Sequence, residues 1–176
     1  MTLAFNMVEV ISRLIFPRVT GLITTCDKDG KPNVASFSFM MPISFEPKYL
    51  AFSVAPERYT FRNLNEVKEF VVNIPCEDML KEVWICGTRS GRNVDKFALI
   101  GLETERSIRV RPPRIKGCPV QLECVVEFME KFGDHYLVVG RVVEEHVDQT
   151  DFKPILHCSG KMFYRVGERV SAEATL

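Results

Sequence analysis

Between Ser53 and Thr60 the chain reads Ser-Val-Ala-Pro-Glu-Arg-Tyr-Thr, a run that passes from a β-rich segment into a helix-forming one. A helix N-terminus presents unpaired backbone N–H groups and a partial positive charge, which suits a phosphate or another anion. Arg58 adds a charge-assisted donor and Thr60 a hydroxyl. The same residues also fit a plainer role, with Thr60 capping the helix and Arg58 solvated, and local sequence leaves both readings open. Upstream, Ala35-Ser36-Phe37-Ser38-Phe39 places Ser36 and Ser38 on one face of an extended segment and the two phenylalanines on the other. That alternation fits either a polar wall of a site or a strand with its polar side in water.

Other chemistries lack their signatures. There is no G-x-S-x-G elbow and no H-E-x-x-H helix. His135, His146 and His157 are too scattered to suggest a metal site and read as surface or strand-edge residues. His157 and Cys158 are neighbours, but adjacent strand residues point to opposite faces. The six cysteines, at 26, 76, 86, 118, 124 and 158, form no C-x-x-C pair. Neither G-x-G-x-x-G nor G-x-x-x-x-G-K-[ST] occurs, so a bound nucleotide would need some other cradle.

The elements that must position these residues are mostly strands. Residues 19–40 read as a β-hairpin around Asp27-Lys28-Asp29-Gly30, where Gly30 can take the positive φ that a tight turn requires. Pro42 and Pro47 bracket a loop, and further strands follow at 49–54 and 70–74. Two long strands at 119–131 and 135–148 turn through Phe132-Gly133-Asp134, and a short pair is expected near 155–158 and 161–166. Helical spacing occurs only at 5–15, roughly 59–68 and 77–86. Residues 87–93 form a polar connection. Strands that follow one another through turns predict an antiparallel barrel or sandwich, not a doubly wound parallel sheet. The basic stretch 106–116 is expected as a solvated edge strand, the alternative being a site for nucleotide phosphates or an acidic partner.

Composition bounds the rest. With 176 residues and no composition break, one domain spanning 1–176 is expected. Lys plus Arg equals Asp plus Glu at 23 each, which argues against a nucleic-acid or anionic-membrane binder. No apolar run approaches the ~18 residues of a spanning helix. The N-terminus lacks a basic n-region and a small-residue cleavage site, so a cytoplasmic protein with mostly reduced, buried thiols is expected.

Several segments together resemble the flavin reductase-like, FMN-binding split-barrel family, which includes flavoredoxins and an archaeal ferric reductase. They are Pro17 to Thr25, Asp29 to Ala35, Ser36 to Phe39, Phe52 to Thr60, Glu69 to Pro75, Ser90-Gly91 and Val94 to Phe97, with a weaker match near Gly160 and Tyr164. The resemblance implies a mainly β fold, an antiparallel six-stranded Greek-key split barrel with a few short peripheral helices. It implies bound FMN, with Ala35, Ser36, Phe37 and Ser38 along the isoalloxazine ring. Ser53, Arg58, Thr60 and Asn63 would lie at the ribityl phosphate, and Ser90, Gly91 and Lys96 on a loop approaching the flavin. Lys96 also fits a surface lysine ahead of a core Phe97. The resemblance further implies a homodimer and a hydride taken from NAD(P)H by the flavin, which explains why no protein acid or base stands out. Electrons would pass to a small-molecule acceptor (free flavin or a ferric complex) or to a redox protein. A flavoredoxin-like electron carrier and a flavin-storage module are the alternatives.

Overall fold

The computed structural model describes residues 11–172. The first hairpin forms where the turn chemistry places it, with β1 (Arg18–Val19), β2 (Gly21–Cys26) and β3 (Pro32–Phe37). In the turn Gly30 N–H donates to the Asp27 carbonyl, and the Asp27 carboxylate accepts from the amides of Asp29 and Lys31. β3 stops at Phe37, and the chain resumes as β4 (Met40–Phe45), β5 (Lys48–Val54) and α1 (Tyr59–Glu66). Next come β6 (Glu69–Ile74), α2 (Leu80–Thr88), α3 (Lys96–Ile100) and the two-residue strands β7 (Thr104–Glu105) and β8 (Arg114–Ile115). The long hairpin β9 (Val120–Phe132) and β10 (His135–Val147) precedes β11 (Leu156–Ser159) and β12 (Met162–Tyr164). Of the expected helix over 5–15, residues 5–10 lie outside the described residues, and Ile11–Arg13 is a single 3-10 turn.

Seven antiparallel strands make the main sheet, in the order β3-β2-β6-β9-β10-β5-β4. Its outer strands β3 and β4 follow each other in sequence but do not pair, so the barrel is split there. Side chains close it instead. Phe52 on β5 meets Phe37 on β3 and Phe70 on β6 edge-on, with ring centroids 5.1 and 5.2 Å apart. The barrel has one strand more than expected because 40–45, read as part of a hairpin and then a loop, forms β4. Pro42 lacks an amide donor, which an outer strand tolerates, and the register slips between Pro42 and Ser44.

β2 is buried along its whole length because it lies between two cores. Ile23 faces the barrel interior with Phe52, Leu64, Phe70 and Val138, while Leu22 faces Val34, Val83, Cys86, Ile115 and Ile155 beneath α2. All six cysteines are free thiols, and Cys26, Cys86, Cys118 and Cys124 are buried. No described helix is long and apolar enough to cross a membrane.

The basic segment departs from the edge-strand expectation. Only its ends pair, through β7 and β8, and the chain between them wraps the carboxylate of Glu123 on β9. Glu123 is fully buried and accepts from the amides of Ile108, Arg109 and Val110 at 2.8, 2.6 and 3.2 Å. His146 Nε2 on β10 donates to it at 2.7 Å. Three of the segment's five cations are engaged locally, Arg111 with Glu69, Arg114 with Glu105 and Lys116 with Glu103.

One packing contact supplies a test of the barrel interior. A Cβ at Gly140 on β10 would lie 2.3 Å from Phe70 Cζ, at a register shift between Val139 and Gly140. Gly140→Ala is expected to destabilise the fold by about 1–3 kcal/mol in urea unfolding, because Phe70 must leave its rotamer. Unchanged stability would show that the ring can move aside at no cost.

Candidate functional site

An open cavity of about 330 Å3 lies between β3, the end of β5, the start of α1 and the chain from Cys86 to Lys96. β3 supplies one wall. As an outer strand it leaves one row of backbone N–H and C=O groups unpaired, and Ala35, Ser36, Phe37 and Ser38 all line the cavity. The Ser36 hydroxyl donates to the Val83 carbonyl of α2, so Ser36 offers the cavity lone pairs rather than a proton. Ser38 Oγ lies 3.1 Å from His157 Nδ1.

Opposite, Ser53 ends the polar face of β5, and the turn through Ala55 and Glu57 delivers Arg58 and Thr60 to the same space. Arg58 is the N-cap of α1 but its side chain makes no cap bond. The amides of Tyr59 and Thr60 donate to no group among the described residues, as the geometry of a helix start dictates. Thr60 Oγ1 does not cap the helix; it accepts from Asn33 Nδ2 at 3.3 Å. The buried Asn33 Oδ1 has no partner among the described residues. Gly91 comes so close that a Cβ there would lie 2.1 Å from that oxygen, so the 90–91 loop can cover Asn33 only as glycine.

Lys96 is not a surface lysine: it is 3% exposed. Asp95 starts α3 by accepting from the Ala98 amide, which turns Lys96 inward. Its ammonium donates to the carbonyls of Cys86 and Arg89 at 3.3 and 3.2 Å, and no carboxylate pairs with it among the described residues. Burial, reinforced by Arg58, holds Lys96 below the ordinary lysine range. Burial also pushes the neighbouring Cys86 thiol up to about 11, so it stays protonated at neutral pH and is no nucleophile. Lys96, Arg58 and Arg89 face only one acidic lining residue, the exposed Glu57. A buried cation without a counter-charge, beside free helix amides, is an arrangement that an anion would complete.

Of the expected site residues, ten line this cavity and Asn63 does not. Asn63 is fully buried on the inner side of α1, and its Nδ2 donates to Thr25 Oγ1 at 3.1 Å. It fastens the helix to β2. The sequence reading passed over Asn33, Cys86, Arg89 and His135 as site residues. Asn33 and Arg89 adjoin residues that were selected, and extending each segment by one or two positions would have found them. His135 enters from the β9–β10 turn, far away in sequence, and carried no local signal.

The model of the flavin reductase like domain matches residues 12–165. An uncharacterized protein of Archaeoglobus fulgidus is 36% identical over 168 residues, covering 88% of this chain and 93% of its own. A flavin reductase of Pseudomonas putida is 26% identical, over 86% of this chain and 82% of its own. Among solved structures, the flavoredoxin of Methanosarcina acetivorans superposes with a TM-score of 0.83 at 25% identity, covering 99% of this chain and 96% of that one. With a match along nearly the whole described length and the split barrel to go with it, this chain belongs to the flavin reductase like domain family.

Proposed function

We propose that the cavity binds FMN and that the protein is an oxidoreductase of the flavin reductase type. The observation that carries this reading is the buried, carboxylate-free ammonium of Lys96, set with Arg58 beside the free amides of α1. A flavin phosphate supplies the missing charge. Ser53, Arg58 and Thr60 hold it from the helix side, and Ser90, Gly91 and Lys96 from the loop. The unpaired edge of β3, from Ala35 to Ser38, offers hydrogen bonds to the polar rim of the isoalloxazine ring. Asn63 acts at one remove, by fixing α1.

Bound FMN supplies hydride acceptance from NAD(P)H and onward transfer of electrons to free flavin, a ferric complex or a redox protein. The chain's residues bind and orient, and none needs to move a proton. The family relationship supports this reading. So does the exposed apolar strip of Met41, Ile43 and Phe45 along β4, which suits a homodimer.

Anaerobic addition of NADH and then NADPH to FMN-loaded protein tests the donor. Loss of the visible flavin absorption with either nicotinamide is the expected result. Retention with both, alongside reduction by a partner redox protein, would favour the electron carrier that the likeness to a flavoredoxin suggests.

A further inference from the structure

Ser38 stands just past the end of β3, where the barrel is split, and lines the candidate cavity with Ser36. Both serines are half-buried and so present accessible surface there. The partner of Ser38 is His157 on β11, a strand of the separate three-stranded sheet β1-β11-β12. The imidazole does not itself line the cavity, so it acts on a ligand there only through Ser38.

Two contacts fix the state of that imidazole. Nε2 lies 3.1 Å from the Gly160 carbonyl, which can only accept, so Nε2 carries a proton. Nδ1 lies 3.4 Å from Arg18 Nη2, which can only donate, so Nδ1 carries a lone pair. Arg18 is itself held in place. Nη2 donates to the Cys158 carbonyl at 2.9 Å, Nη1 to the carbonyls of Ser12 and Ile15, and the guanidinium lies over the Phe39 ring. His157 is therefore the neutral tautomer protonated at Nε2, and Ser38 Oγ, 3.1 Å from Nδ1, donates to it. Ser36 has likewise given its proton to the Val83 carbonyl. Both hydroxyls thus meet the cavity as acceptors only.

We propose that His157 is a positioning residue for the FMN site: by holding the Ser38 proton at Nδ1 it makes Ser38 an acceptor toward the ligand, and the flavin group that meets Ser38 is a hydrogen-bond donor, a ring N–H or a ribityl hydroxyl. The identity of the ligand rests on the FMN reading, whereas the state of His157 is a property of the protein alone. A serine hydroxyl without a fixed partner rotates and can either donate or accept. Fixing it before the ligand arrives removes that choice and favours a donor by preorganisation. Without an acceptor at position 157 the Ser38 proton is free to point into the cavity, and a donor facing it gains a bond only after the hydroxyl has turned.

Two measurements test this. In flavin-free protein near neutral pH, the ring-nitrogen NMR shifts of His157, assigned by their loss in His157→Asn, should be those of a neutral ring protonated at Nε2. In FMN titrations, His157→Leu should bind about 2- to 10-fold more weakly than the parent, the worth of one neutral hydrogen bond. His157→Asn, whose Oδ1 can stand near the place of Nδ1, should recover most of that loss, which a merely structural role for the ring would not allow. In a Ser38→Ala background His157→Leu should have no further effect, because the hydroxyl it orients is gone. An Nδ1–H ring, parent-like affinity in His157→Leu, or additive losses in the double variant would overturn the proposal. The NMR arm keeps it open to refutation should His157→Leu not fold. Absence of FMN binding by the parent would overturn the FMN reading and the positioning role with it, whereas binding without coupling between His157 and Ser38 overturns the positioning role alone.

Discussion

Replacing Lys96 with methionine is expected to lower affinity for FMN by roughly 10- to 100-fold while raising the thermal stability of the flavin-free protein. The two effects have one cause. The Lys96 ammonium is buried without a carboxylate and satisfied only by the carbonyls of Cys86 and Arg89. A charge in that position is costly until an anion arrives. Methionine keeps the length of the side chain and removes the charge, so the empty protein gains stability. FMN loses a charge-assisted contact of about 1.5–3 kcal/mol. Arg58→Ala makes the natural comparison, because Arg58 is exposed and carries no such cost. It should weaken FMN by a similar factor and leave the stability of the empty protein unchanged. Calorimetric titration with FMN and thermal unfolding of both variants decide the matter. Unchanged FMN affinity in Lys96→Met would remove Lys96 from the site.

The second large effect belongs to Glu123, remote from the cavity. Burial pushes its carboxyl up, but the amides of Ile108 and Arg109 and the imidazole of His146 outweigh burial and hold it below the ordinary carboxylate range. Glu123→Gln should destabilise the fold by about 3–5 kcal/mol, since it removes the charge and turns an amide N–H2 toward backbone donors. The pH dependence follows from the direction of the shift. The folded value lies below the unfolded one, near 4.3 for glutamate, so the stabilisation is complete above the unfolded value. It is lost as pH falls through the folded value. Urea unfolding across acid pH should show a limb for the parent protein that is reduced in Glu123→Gln. Equal stability and identical acid limbs would mean that the 108–110 loop is held by its ion pairs instead. Those pairs are exposed and worth little individually.

These cases show which parts of the molecule were legible in the chain. The Asp27–Gly30 turn was legible because its hydrogen bonds are made within five residues. The anion-binding junction at 53–60 was legible because a strand, a turn and a helix start follow one another without interruption. β4 was not, because Pro42 argues against a strand until the strand is known to be an outer one. Asn63 was assigned to the phosphate by the resemblance, but it lies one turn along α1 from Thr60, away from the helix start, and its side chain reaches Thr25 instead. The basic segment misled because its organising partner, Glu123, lies more than one element away. Lys96 could be read as surface or as site because the absence of a counter-charge is a property of the folded neighbourhood alone.

The measurement that bears most directly on the central claim is a paired titration of flavin-free protein with FMN and with riboflavin, followed by quenching of flavin fluorescence. The two ligands share the ring and differ in the phosphate. If Lys96, Arg58 and the amides of α1 form a phosphate site, FMN will bind about 100-fold or more tightly than riboflavin, as two or more charge-assisted contacts require. Equal affinities, or no binding of either ligand, would contradict the account.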